Sequence, residues 1–154
     1  MKPVKQKHLK RFAAQVLLLA TNSPCPRAQF GAIIFDEVSN RNLSEGWNGP
    51  PKGAHKLCGD QKCLREEQCI PSGERTETGC HHAEANAILN AAAEGVSTKG
   101  KAIIVNGAPC LSCAKMIHHA DIHRVYMLDY VRNSEGLAYL NTHLIDVVKV
   151  ELDD

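Results

Sequence analysis

Along the first twenty residues, apolar side chains recur at Leu9, Phe12, Ala13, Val16, Leu17 and Ala20, a three-to-four spacing that lines one face of a helix. The spacing predicts a helix over residues 5–20, and the "SPCP" run after it stops that helix. "FGAIIF" and "LSEGW" then read as two strands, with "DEVSNRN" between them carrying the turn residues of a hairpin. From Gly49 to Gly79 no period of either kind is sustained, and Gly, Pro, Cys and charged residues dominate. This stretch predicts a long irregular insertion, which a compact domain keeps only when something holds it in place. Beyond it come a helix from about His82 to Glu94, a strand "KAIIVN", a helix from about Leu111 to Ala120 and a strand "HRVYML". A short helix near Ser134 to Asn141 and a last strand "IDVVKVE" follow.

An opening hairpin followed by alternating helices and strands predicts an α/β fold, with a mixed five-stranded sheet and helices on both faces. With 154 residues and 44% hydrophobic content, the chain suits one domain with a real core, spanning 1–154 and interrupted by the Cys-rich insertion at about 49–79. Eighteen Lys and Arg against seventeen Asp and Glu leave a formal charge of +1, which disfavours a partner held mainly through a phosphate backbone and favours a small molecule. The apolar run near the start is too short to span a bilayer, and Arg11 and Gln15 break it as a signal peptide. Seven cysteines, an odd number clustered with histidines, point to metal binding in a reducing compartment, and a cytoplasmic protein is expected.

The chemistry gathers in two places. "CHHAEANAIL" sets His82 and Glu84 at the mouth of a helix, and "PCLSC" sets Cys110 and Cys113 between a strand and a helix. One imidazole and two thiolates supply three ligands to a tetrahedral zinc and leave its fourth position for water, the mark of a catalytic site. Zinc lowers the pKa of water from about 16 to roughly 7, and Glu84, not itself a ligand, stands within reach to move protons. Both motifs open helices, whose N-terminal N–H groups and dipoles favour thiolate over thiol. Taken singly, a C-x-x-C step also serves redox or structural zinc, and His82 or Glu84 alone reads as a capping or surface residue. H-x-E followed by P-C-x-x-C is, in combination, the established signature of the zinc deaminases that act on nucleobases.

The chain resembles the cytidine deaminase-like superfamily and, within it, the deoxycytidylate (dCMP) deaminases. "FGAIIF" resembles that family's first strand, "GWNGPPKG" its G-Y-N-G-x-P-x-G loop, "IPSG" and "CHHAEANAI" its approach to the zinc helix, and "PCLSCAKMIHHADIHRVYM" its P-C-x-x-C helix and next strand. The likeness covers nearly the whole chain. It implies the three-layer α/β/α sandwich of the cytidine deaminase-like fold and hydrolytic loss of the cytosine 4-amino group, dCMP giving dUMP and ammonia. Water attacks C4 while Glu84 protonates N3 and later the departing ammonia. By the same resemblance Asn48 contacts the bound nucleoside and the backbone of Ala83 faces the base; the plain alternatives are a turn asparagine and an ordinary helical alanine. Arg27, Lys52, Lys115, Arg124 and Arg132 are available for a 5′-phosphate, and none is assigned. Trp47 stands where the family loop has tyrosine.

Many relatives are hexamers switched on by dCTP and off by dTTP, so the resemblance implies a homo-oligomer with those effectors, and Mg2+ accompanying the effector nucleotide. Some viral relatives carry a second, structural zinc, and Cys25, Cys58 and Cys80 lie close to the places of its ligands. The fourth ligand stays open between Cys63 and Cys69, with His55 a weaker third choice; buried free thiols are the alternative reading. A metal clip answers the ordering cost of the insertion, about 1–2 kcal/mol per residue, where apolar burial is scarce. The rival function is an editing deaminase acting on tRNA adenosine or cytosine, which shares H-A-E, P-C-x-x-C and a "GWN" segment. The near-neutral charge and the cysteine-rich insertion favour the nucleotide enzyme. A regulator that keeps zinc as scaffold has no use for the carboxylate at Glu84.

Overall fold

The computed structural model describes residues 3–54, 58–59, 62–128 and 134–152. In chain order the elements are α1 (Gln6–Ala20), β1 (Gly31–Asp36), β2 (Arg41–Trp47), β3 (Cys58–Gly59), β4 (Lys62–Cys63), α2 (Leu64–Glu67), α3 (Ala83–Ala93), β5 (Ala102–Val105), α4 (Leu111–His119), β6 (Arg124–Met127), α5 (Ser134–Thr142) and β7 (Asp146–Lys149). Five strands form one sheet in the order β2-β1-β5-β6-β7. β1 pairs antiparallel with both β2 and β5, while β5, β6 and β7 run parallel, so the sheet is mixed as the pattern predicts.

The alternation of side chains along each strand builds two cores. Ala32, Ile34, Ile103, Val105, Val125 and Met127 meet α3, α4 and α5 on one face, through Ala83, Ala87, Ala91, Ala114, Ile117 and Leu140. Ile33, Phe35, Ala102, Ile104 and Tyr126 meet α1 on the other, through Leu9, Phe12, Ala13, Val16 and Leu19. β1 and β5 are covered on both sides, and so they read as unbroken apolar runs without polar alternation. The α/β/α layering is thus set by strands that have no polar face to offer water.

One expected core position is corrected. Leu17 is 44% exposed and Leu19 takes the buried place. At 100° per residue the buried stripe of Leu9, Phe12, Ala13, Val16, Leu19 and Ala20 is centred about 60° from Leu19 and about 100° from Leu17, which therefore falls outside it. The insertion also has more local structure than its aperiodic composition suggests, with the β3–β4 pair and the single turn α2. Polar fasteners hold it: the Arg65 guanidinium donates to the carbonyls of Pro71 (3.2 Å) and Glu74 (2.8 Å). Cys63 is the one buried side chain among those from 50 to 79 whose burial is described.

Candidate functional site

β5 ends at Val105, and the loop 106–110 delivers the chain to α4 at the carboxyl edge of the parallel strands, where open α/β sheets bind ligands. His82 is the N-cap of α3 (φ −72°, ψ 161°) and Cys110 the N-cap of α4 (φ −71°, ψ 169°). An N-cap residue points its side chain back over the orphan N–H groups of the first turn. Cys110 Sγ accepts from the Cys113 N–H at 3.4 Å, whereas the His82 ring makes no such cap bond and turns to the two sulfurs instead. His82 Nδ1 lies 3.4 Å from Cys110 Sγ and 3.6 Å from Cys113 Sγ, and the three ligand atoms lie within 4.8 Å of one another. A tetrahedral ion with Zn–S of about 2.3 Å and Zn–N of about 2.0–2.1 Å separates sulfur from nitrogen by roughly 3.5–3.6 Å. The donor set therefore fits zinc in both chemistry and spacing. No other cluster of three such groups occurs among the described residues.

A hydrogen bond from the Cys113 thiol, together with the one to His82, pushes the Cys110 thiol down to about 4. Donating that bond to Cys110, and then burial, push Cys113 up. The bond to Cys110 raises His82. A divalent ion takes the place of these shared protons. Glu84, in the first turn of α3, is 5% exposed. Burial raises its pKa, against the lowering effects of its own backbone N–H and the Cys113 thiol. A carboxyl so placed holds a proton near neutral pH more readily than a solvated one.

The mouth of the site is laced together by asparagines. Asn48 is buried; its Oδ1 accepts from the Phe30 N–H (2.8 Å) and its Nδ2 donates to the Ala28 carbonyl (2.9 Å). Asn106 continues the lacing, accepting from the Gly31 N–H (2.8 Å) and donating to the Gln29 carbonyl (3.1 Å). Residues 28–31 thus hang between the ends of β2 and β5. In the sequence Asn106 is only the last residue of the expected strand "KAIIVN", and the fold reveals its partners. Gly49 and His81 exchange backbone hydrogen bonds (3.1 and 3.0 Å), and Asn86 of α3 donates to the Trp47 carbonyl (2.7 Å), pinning the "GWNG" loop beside His82. Ala83 is fully buried at the start of α3.

The remaining expected residues are dispersed. Arg124 stands at the start of β6, at the far end of the sheet, bound to Glu37 and Asp146. Lys115 lines an open groove of about 660 Å³ between α3 and α4. Arg27 is engaged with Glu66 and the Ile70 carbonyl, and Lys52 is exposed. Cys25 and Cys80 are half-buried, Cys63 is buried and Cys69 is exposed with φ 56°. Arg132, His55 and the side chain of Cys58 lie outside the described residues.

Comparison with known proteins agrees with this geometry. The family model "cytidine and deoxycytidylate deaminase zinc-binding region" matches residues 6–129. ComE operon protein 2 of Bacillus subtilis is 37% identical over 145 residues, covering 93% of this chain and 71% of the relative. The deoxycytidylate deaminase of Enterobacteria phage T4 is 30% identical over 150 residues, with 77% of each chain covered. The crystal structure of dCMP deaminase from the cyanophage S-TIM5 in complex with dCMP and dUMP superposes with a TM-score of 0.78 and 29% identity, covering 97% of this chain and 98% of the other.

Proposed function

Because the chain belongs to the cytidine and deoxycytidylate deaminase zinc-binding family, we propose that it hydrolyses dCMP to dUMP and ammonia, with Glu84 as the catalytic acid and base and His82, Cys110 and Cys113 as zinc ligands. The observation that carries the reading is the convergence of those three ligand atoms beside one buried carboxylate that is not among them. When bound, zinc supplies a Lewis acid that makes water nucleophilic near neutral pH. Glu84 supplies the proton traffic. It takes one proton from the attacking water and delivers it to ring N3 as the C4–O bond forms, then takes the second proton from the new C4 hydroxyl and gives it to the amino nitrogen as C4–N4 breaks and C4=O forms. Asn48 holds the wall at residues 28–30 and keeps one Nδ2 hydrogen for the nucleoside, while the buried start of α3 at Ala83 presents backbone to the base. Incubation with dCMP, deoxycytidine, dCTP and adenosine-containing RNA, read as ammonia release, tests the reading. Release from dCMP in preference to the others is expected; release from the RNA alone would establish the editing activity in its place.

The reading extends to a second, structural zinc in the insertion, held by Cys25, Cys58 and Cys80 with Cys63 as the fourth ligand. Its support is that Cys63 is buried and is the register partner of Cys58, whereas Cys69 is exposed; Cys25, Cys63 and Cys80 do not stand together as a ready-made triad, so the ion has to draw them in. Elemental analysis of protein never exposed to chelator should return two zinc ions per chain. A cytoplasmic homo-oligomer, a hexamer as in many relatives, responding to dCTP and dTTP with Mg2+ on the effector, completes the proposal. The half-exposed Leu89 on α3 is an apolar residue that such an assembly would cover. Among the described residues no helix is long and apolar enough to cross a membrane.

A further inference from the structure

We propose that Gly136, in the first turn of α5, is a positioning residue for the Cys110 side of the metal site, acting as a backstop on which the ligand loop rests. The inference depends on Cys110 being a metal ligand. Gly136 is buried, and a Cβ built on it would lie 2.0 Å from the carbonyl oxygen of Pro109 and 2.9–3.0 Å from the carbonyl carbon and oxygen of Cys110. Non-bonded heavy atoms settle at about 3.5–4.0 Å, so one methyl group requires the two backbones to part by more than an ångström. The atoms in the way are peptide carbonyls, which have no rotamer to turn aside.

Nothing else about the position calls for glycine. Its φ is not among the positive ones, and a glycine inside a helix costs about 1 kcal/mol relative to alanine. The close approach is the feature that needs it. What it touches is the peptide that sets Cys110 as N-cap of α4, and through Cys110 Sγ the contacts to His82 and the Cys113 N–H. A displacement of about 1 Å in a group that orients a reacting centre can cost a hundredfold in rate. Gly136 therefore fixes the ligand geometry without itself touching metal or substrate.

The test is Gly136→Ala in the full chain, loaded with Co2+ in place of zinc and read by its visible d–d bands and thiolate charge-transfer bands, with Co2+ affinity measured by chelator competition. The parent should show thiolate–cobalt bands. The variant should show shifted bands, at least tenfold weaker affinity, and a fall in kcat on dCMP of about a hundredfold. Leu137→Ala, which removes packing from the same turn without adding bulk towards Pro109, should keep the parent's bands. If Gly136→Ala keeps the parent's spectrum and affinity, and merely stabilises α5 as glycine-to-alanine changes in helices do, the proposal is overturned. The same holds if Leu137→Ala shifts the bands equally. Should Gly136→Ala not fold, Pro109→Gly/Gly136→Ala, in which the loop can yield, is compared with Pro109→Gly. Matching spectra, or a double variant that still cannot fold, place Gly136 in the fold at large and overturn the proposal. Absence of thiolate–cobalt bands in the parent overturns the reading of Cys110 as a ligand, and this inference with it.

Discussion

Glu84 is buried among groups that cannot solvate it, yet it is one residue removed from an imidazole and within hydrogen-bonding reach of a thiol. A side chain kept only for packing would not be an ionisable one there, because burying a carboxyl without full compensation is costly in either protonation state. Glu84→Gln preserves its volume and removes its capacity to take up and return a proton. General acid–base transfer contributes about a hundred- to ten-thousand-fold, and Glu84 serves more than one transfer in the proposed mechanism, so kcat should fall by about 10⁴-fold or more. Zinc content, by elemental analysis, should stay at the parent's value; unchanged turnover would take Glu84 out of the mechanism. Asn48 and Asn106 make a second comparison. Each fastens two backbone groups of residues 28–31, so alanine at either should cost about 1–3 kcal/mol of stability in urea unfolding. If Asn48 also meets the nucleoside, Asn48→Ala alone raises KM for dCMP, by about tenfold for one lost hydrogen bond; equal KM changes would make both asparagines loop fasteners and nothing more.

The elements place a second polar cluster as far from the site as the sheet allows. Glu37, its side chain 3% exposed, accepts from Arg124 Nη1 and the Tyr126 hydroxyl, both at 2.6 Å, and Arg124 Nη2 reaches Asp146 at 3.0 Å. Burial, and then the hydroxyl's bond to Glu37, push the Tyr126 phenol up to about 12. A raised phenol pKa means that the folded state holds its proton longer than the unfolded chain, whose tyrosine ionises near 10. The contribution is intact below pH 10 and is lost as pH climbs from about 10 to about 12. Tyr126→Phe should be less stable at pH 7 by about 1–3 kcal/mol, with the deficit shrinking across that alkaline window. Urea unfolding of both proteins from pH 7 to 11.5 checks it, and a constant deficit would contradict the assignment.

This cluster also shows where sequence reading stops. Glu37 reads as a turn residue in "DEVSNRN", and the strand that buries it begins eighty-seven residues later at Arg124. The apolar stripe of α1, the doubly buried runs of β1 and β5 and the two helix-opening motifs were legible because their signals are local periods or short spacings. Gly136, Asn106 and the polar fastening of the insertion were not, because each depends on a partner brought near only by the sheet order.

At the scale of the whole molecule, the zinc proposed between His82 on one side and Cys110 and Cys113 on the other would join α3 to α4, two helices reached from opposite ends of β5. An ion that binds the folded chain and not the unfolded one stabilises it by about 4 kcal/mol when free metal exceeds Kd a thousandfold. For a chain of this length each kcal/mol moves Tm by about 2–4 °C, so exhaustive chelation should lower Tm by roughly 8–16 °C per such ion. Cys113→Ser removes a buried ligand from the proposed catalytic site and leaves the insertion's cysteines intact. With two zinc ions, as proposed, Cys113→Ser melts below the parent and still drops further when chelator is added, because the clip at Cys25, Cys58, Cys63 and Cys80 is still there to be stripped. With one, chelator no longer moves its Tm at all. Scanning calorimetry of parent and variant, each with and without chelator, separates the two cases, and adding Cys25→Ser to the variant should abolish the residual drop if the second ion is where it is proposed.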